Sequence, residues 1–228
     1  MKLEGFTPYQ KADADKYNRL RWWPGIPFGG FLDKAADIYP DKEALVDGNE
    51  RFTYGRLKHI TDKLAIGFIK LGIQPLDRVL LQLPNWAEFI LTYFALQKIG
   101  AIPILLLAKH RQNEIWHLQH LTGASSWIVA EKYHKTDYLP IVGDVLKNSA
   151  AIENVILVRS SRPGAFTSLE SLIQKEDLTD EQRTILAGRR PDPMQVAHMG
   201  PTGGTTGLPK AAPRTHNDYM SRVEYAAR

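Results

Sequence analysis

Between Arg78 and Val158 the chain alternates short apolar runs with helical segments, and this alternation leaves few folds open. "RVLLQL" leads into "NWAEFILTYFALQKIG", and "IPILLL" into "NEIWHLQHLTG"; "SSWIVA" is followed by a helical stretch to about Asn148 and then by "NVILV". Such brief Leu-, Ile- and Val-rich runs read as strands buried on both faces. Strand, helix and strand in this order make βαβ units, so the expected fold is α/β, a mainly parallel sheet flanked by helices. The helix from Asn85 to Gly100 is apolar nearly all round and should be buried on more than one side.

The flanking segments fill in the organisation. Residues 1–27 are polar and aromatic and end in "RWWPGIP". They read as an irregular lead-in, with Trp22 and Trp23 as packing anchors. A short helix is expected over Phe31–Tyr39, stopped by Pro40. "EALVD" and "RFT" flank Gly48-Asn49 and read as a hairpin. Leu57, Ile60, Leu64, Phe68 and Leu71 then recur at helical spacing up to Gly72. Residues 159–193 are polar, with "SLESLIQ" as one helix. "MQVAHM" is a strand, a Gly/Thr-rich stretch follows it, and a new helix begins near Thr215 or Asn217. The expected division is a lead-in (1–27), an α/β subdomain (28–193) and the start of a second subdomain (194–228), truncated at Arg228.

Composition removes several function classes. The chain has 228 residues, 43% of them hydrophobic, enough for a sizeable core. No window approaches 18 consecutive apolar residues, so no membrane span is expected. The first residues lack a signal-peptide pattern, which makes a cytoplasmic location the expectation. With no cysteine, disulfides and thiol catalysis are excluded. The net charge is +4, and from Arg183 to the end seven basic residues stand against three acidic ones. That excess surrounds the Gly/Thr stretch and forms no long Lys/Arg tract. A local anion site is therefore favoured over a groove that follows a nucleic-acid backbone, and no nucleic-acid partner is expected.

The Gly/Thr stretch lies in "HMGPTGGTTGLPKAAPRTHNDYM", residues 198–220. Thr202–Leu208 holds three glycines, three threonines and one apolar side chain, so it contributes little to a core and costs backbone entropy to order. A strand, a Gly-rich loop and a helix would set backbone N–H groups at the mouth of a sheet. Threonine hydroxyls suit phosphate oxygens or Mg²⁺, and Lys210 is a mobile point charge. The parts describe a polyphosphate clamp; composition alone also admits a flexible surface loop. Walker A spacing fails, because Lys210 follows Pro209 and precedes Ala211. The G-x-G-x-x-G fingerprint fails as well.

"TGGTTGLPK" resembles the phosphate loop of the adenylate-forming superfamily, which includes acyl-CoA synthetases, peptide-synthetase adenylation domains and luciferases. Ala211 departs from the family's usual glycine. "LPNWAEFILTYFALQKIGAIPILL" and "ALVDGNERFTYGRL" are similar to other family segments. "GGTTGLPKAAPRTHNDY" and "RWWPGIPFGGFLDKAA" look most like the 2,3-dihydroxybenzoate–AMP ligases and their aryl-acid relatives. The resemblance covers nearly the whole chain but only the front part of a family whose members are more than twice as long. It implies ATP and Mg²⁺, with Thr202, Gly203, Gly204, Thr205, Thr206 and Gly207 around the β- and γ-phosphates. Lys210 would neutralise the leaving pyrophosphate, and Lys210 and Thr206 would be the catalytic pair.

The implied activity is adenylation of an aryl or cyclic carboxylic acid, followed by transfer to coenzyme A or to the phosphopantetheine of an acyl or aryl carrier protein. A medium- or long-chain acyl-CoA ligase and a non-catalytic nucleotide-binding fragment are the alternatives. The 228-residue chain alone is expected to be inactive. Other residues stay open between roles. Asn217 is a helix cap or a site residue, and Arg214 a phosphate contact or a solvated cation. His110, His117 and His120 invite a metal reading, but no carboxylate pair or cysteine accompanies them, so no metal site is expected.

Overall fold

The computed structural model describes residues 3, 5–161, 163–202 and 208–227. The lead-in contains a helix, α1 (Lys11–Arg19), that buries none of its residues. Hydrophobic spacing could not announce it, because it has no apolar face; it carries an exposed Lys11–Asp15 pair one turn apart. Around it Trp23 packs edge-on against Tyr9 and Tyr17 and is buried, whereas Trp22 stacks on Tyr17 and stays 54% exposed. One of the two tryptophans is thus an anchor.

Next come α2 (Phe28–Ile38), the hairpin β1 (Glu43–Asp47) and β2 (Glu50–Thr53), and α3 (Tyr54–Lys70). Thr53 caps α3 by accepting from the Arg56 N–H. The βαβ series then runs β3 (Arg78–Gln82), α4 (Ala87–Lys98), β4 (Ile102–Leu105), α5 (Gln112–Thr122) and β5 (Ser126–Ala130). A small hairpin, β6 (Lys132–Tyr133) and β7 (Thr136–Asp137), precedes α6 (Leu139–Lys147) and β8 (Asn154–Val158). The polar stretch after β8 holds β9 (Thr167–Ser168), α7 (Leu169–Leu172) and α8 (Asp180–Arg189). The chain continues through β10 (Val196–Thr202), β11 (Lys210–Thr215) and α9 (His216–Ala226).

Among the described residues seven strands form the main sheet in the order β11-β10-β4-β3-β5-β8-β9, and only β11 runs antiparallel to its neighbour. The expected α/β fold with a mainly parallel sheet is what the chain adopts. Strand alternation divides the core in two. Val79, Leu81, Ile128 and Ile156 face α2, α3 and α4, while Leu80, Trp127, Val129 and Leu157 face α5 and α6. Helix α4 packs on the sheet and against both α2 and α3, which explains its all-round apolar sequence. Its first turn is capped from a distance: the Asp47 carboxylate accepts from the Ala87 N–H at 3.0 Å. At its last turn the Lys98 ammonium sits between Asp33 of α2 and Asp62 of α3, and Arg190 reaches Asp33 from beyond α8.

The segment after the Gly/Thr stretch differs from expectation. A second strand, β11, intervenes before α9, so the stretch joins two antiparallel strands. Pro213 lies inside β11 and cannot donate a ladder hydrogen bond; it is tolerated because β11 is the edge of the sheet.

Two glycines in helices test the packing. A Cβ at Gly67 in α3 would lie 2.3 Å from the Leu172 carbonyl oxygen of α7, whereas one at Gly143 in α6 would meet nothing within 4 Å. Gly143→Ala is expected to raise stability by about 0.5–1 kcal/mol. Gly67→Ala should lower it by about 1–3 kcal/mol through overpacking. Urea unfolding midpoints measure both; equal shifts in the two variants would show that α7 does not seat on α3.

Candidate functional site

The parallel strands bring their C-terminal ends to one edge of the sheet, the edge at which open α/β sheets bind ligands. Gln82, at the end of β3, donates its side-chain amide to the carbonyls of Leu107 and His110. It thereby pins the loop beyond β4. Tyr138 and Arg111 hold the same loop through the Ala108 carbonyl, at 2.6 and 3.1 Å. Strand β10 pairs with β4 at Met199↔Ile104 and ends at this edge with Thr202. Thr202 and Lys210 are cross-strand partners in the β10–β11 register, and both are exposed. The loop's two ends are therefore held side by side. Gly203, Gly204, Thr205, Thr206 and Gly207, expected to wrap phosphates, lie outside the described residues.

Lys210 enters no ion pair among the described residues, so its charge remains available at the mouth of the loop. Three of the neighbouring cations in the sequence are committed elsewhere. Arg189 and Arg190 precede β10, so they sit at the opposite edge of the sheet, where they bond Gln74 and Asp33. Arg214 pairs with Asp218 at 3.2 Å. The basic excess from Arg183 onward is a neighbourhood in sequence that the fold takes apart.

The segment "THNDY" is used structurally. Thr215 is the N-cap of α9, accepting from the Asp218 N–H. The buried Asn217 accepts from the Gly25 N–H at 2.9 Å and so ties α9 to the lead-in. The three candidate metal histidines have separate surroundings. His117 contacts the Pro209 carbonyl, His120 stacks on Trp116, and His110 is buried in the loop after β4. Among the described residues no group of three or more His, Cys, Asp or Glu is placed to hold a metal ion. No helix of the described residues is long and apolar enough to cross a membrane.

Residues 32–227 match the family of AMP-binding enzymes. The chain belongs to that family. It is 36% identical over 218 residues to the 2,3-dihydroxybenzoate-AMP ligase of Bacillus subtilis, covering 96% of this chain and 38% of that relative. It is 34% identical to the salicyl-AMP ligase / salicyl-S-ArCP synthetase of Mycobacterium tuberculosis, covering 99% and 39%. The apo structure of Mycobacterium smegmatis MbtA superposes with a TM-score of 0.83 at 31% identity, over 96% of this chain and 39% of that one. The chain therefore spans about two-fifths of the length of these relatives.

In this member of the AMP-binding family, a buried polar seam that sequence reasoning did not find lies between β10 and the helices α4 and α9. The β10–β11 register is irregular between Val196 and His198. Val196 packs with the α5–α6 core, while His198, two residues later, faces α4, as a bulge allows. There His198 Nδ1 lies 2.8 Å from the Tyr93 hydroxyl, and the Tyr219 ring stands edge-on to the imidazole. His216 Nδ1 accepts from the Phe28 N–H at 3.2 Å. The advance signal was the two histidines, His198 and His216, that flank the Gly/Thr stretch.

Burial, with Arg214 adding to it, pushes the His198 pKa down from 6.5 to about 4. Burial and the nearby His198 push His216 down to about 3. Both are neutral when folded, whereas an unfolded histidine takes up its proton near 6.5. The unfolded chain binds more protons as pH falls below 6.5, so stability is lost from there down to the folded pKa values and the loss then levels off. At pH 5 each histidine should cost about 2 kcal/mol relative to pH 7. His198→Gln is expected to remove its share of that drop when urea unfolding is measured at both pH values. An unchanged drop would show that His198 is not held neutral by burial.

Proposed function

We propose that this chain is the N-terminal part of an ATP-dependent carboxylic acid:AMP ligase acting on an aryl or cyclic acid. The full enzyme then passes the acyl group to coenzyme A or to a carrier-protein phosphopantetheine. The observation that carries the reading is the "TGGTTGLPK" stretch, bounded by the paired Thr202 and Lys210 at the ligand-binding edge of the sheet. The aryl acids in the names of the two relatives support the substrate class. The segment from residue 194 is read as the start of a second subdomain, hydrogen-bonded onto the first through β10 and β4. A cytoplasmic location belongs to the same reading.

In the proposed reaction a carboxylate oxygen attacks the α-phosphorus of ATP. The bond from that phosphorus to the bridging oxygen breaks, and pyrophosphate leaves with the electron pair. The carboxylate is already an adequate nucleophile, so no general base is needed. Catalysis is positioning and charge stabilisation. Thr202, Gly203, Gly204, Thr205, Thr206 and Gly207 hold the β- and γ-phosphates, with Thr205 and Thr206 as the hydroxyl donors. Lys210 neutralises charge developing on pyrophosphate. Mg²⁺ bound with the nucleotide supplies further neutralisation.

Acid-dependent exchange of labelled pyrophosphate into ATP, run on the full natural chain with a panel of acids, tests the proposal. Aryl acids should support exchange and medium- or long-chain fatty acids should not. Lys210→Ala and Thr206→Val should each raise the barrier by about 2–4 kcal/mol and change stability by under about 1 kcal/mol. Near-normal exchange in either variant would remove that residue from the clamp.

A further inference from the structure

The carbonyl of Pro209 lies 2.9 Å from His117 Nε2, across 92 positions of sequence. A carbonyl oxygen only accepts, so the imidazole donates through Nε2–H. His117 stands on α5, a rigid support for this bond. Ile115 and Leu118 on either side of it are fully buried. The helix start is fastened by the Glu114 carboxylate accepting from the Arg111 N–H at 3.0 Å. At the other end Arg78 donates to the Thr122 and Gly123 carbonyls at 2.8 and 3.1 Å.

Pro209 immediately precedes Lys210, and its chemistry gives the contact its effect. The pyrrolidine ring already fixes φ of Pro209, and the peptide bond to Lys210 is planar. Only ψ is left to turn, and holding the carbonyl oxygen holds ψ. On its other side the Lys210 backbone is held by the pairing with Thr202. Two contacts, one from β10 and one from α5, thus determine where the Lys210 stem starts and which way it leaves the sheet.

We propose that His117 is a positioning residue for the phosphate loop, setting the direction of Lys210 through the Pro209 carbonyl. This rests on the phosphate-clamp reading of Lys210. His117→Leu removes the donor and keeps the bulk, while His117→Gln returns an N–H at similar reach. In the 228-residue chain, amide hydrogen exchange at Lys210–Ala212 should accelerate about tenfold in His117→Leu and return in His117→Gln, with the amides of β3 unchanged.

In the full natural chain, His117→Leu should lower kcat/KM for ATP about tenfold and leave KM for the acid unchanged. It should have no further effect in a Lys210→Ala background, because it acts through that lysine. Unchanged amide exchange, or effects of His117→Leu and Lys210→Ala that simply multiply, would overturn the proposal. Absence of acid-dependent exchange in the unaltered enzyme would overturn the ligase reading instead, and the amide comparison would still decide whether the tether exists.

Discussion

Gln97 donates its side-chain amide to the Ala197 carbonyl at 2.7 Å, a fully buried hydrogen bond that joins α4 to β10. One turn earlier on α4, Tyr93 meets His198. These contacts hold β10 against β4, although the two strands are far apart in sequence. They come from the helix that itself connects β3 to β4. A buried polar group without its partner costs about 1–3 kcal/mol, so the seam specifies one seating of β10. Thr202, where the proposed phosphate loop begins, is then set at a point fixed by the core.

The consequence for the loop is geometric. A loop leading straight into a helix would have one end on the sheet and the other on a helix packed behind it. Here both ends belong to one antiparallel pair, closed by Thr202 and Lys210. Joining the two ends of a connecting segment in advance removes part of the entropy that a ligand would otherwise have to overcome. Among the described residues no strand pairs with the far side of β11, and Pro213 reduces the pairing groups that this edge exposes.

The centre of the parallel sheet was legible because β3, β4, β5 and β8 are short, largely buried apolar runs, and α4 because no polar face was available to expose. The exposed helix α1 was not, since nothing in its sequence depends on burial. Strand β11 was hidden by Ala211, Ala212 and Pro213, residues that resemble a loop and make a strand only because β10 supplies a partner. Helix α8 did carry a signal: Thr179 and Gln182 form a reciprocal cap, spaced as a capping box requires. In the candidate site the motif itself was readable. The supports of the motif were not, because Gln97, Tyr93 and His117 reach it across the fold, and single-sequence spacing does not encode such contacts.

The proposed polyphosphate contacts of this chain are concentrated in the β10–β11 hairpin. An NMR titration of the ¹⁵N-labelled 228-residue chain tests it most directly, with Mg-ATP, Mg-tripolyphosphate and adenosine added separately. Both phosphate ligands should shift amides between Thr202 and Ala211 at similar millimolar Kd, about −4 kcal/mol. Salt should weaken both, and adenosine should shift nothing. Adenosine binding as well as ATP, or phosphate-induced shifts around Arg183 and Arg189 with none in the hairpin, would contradict it.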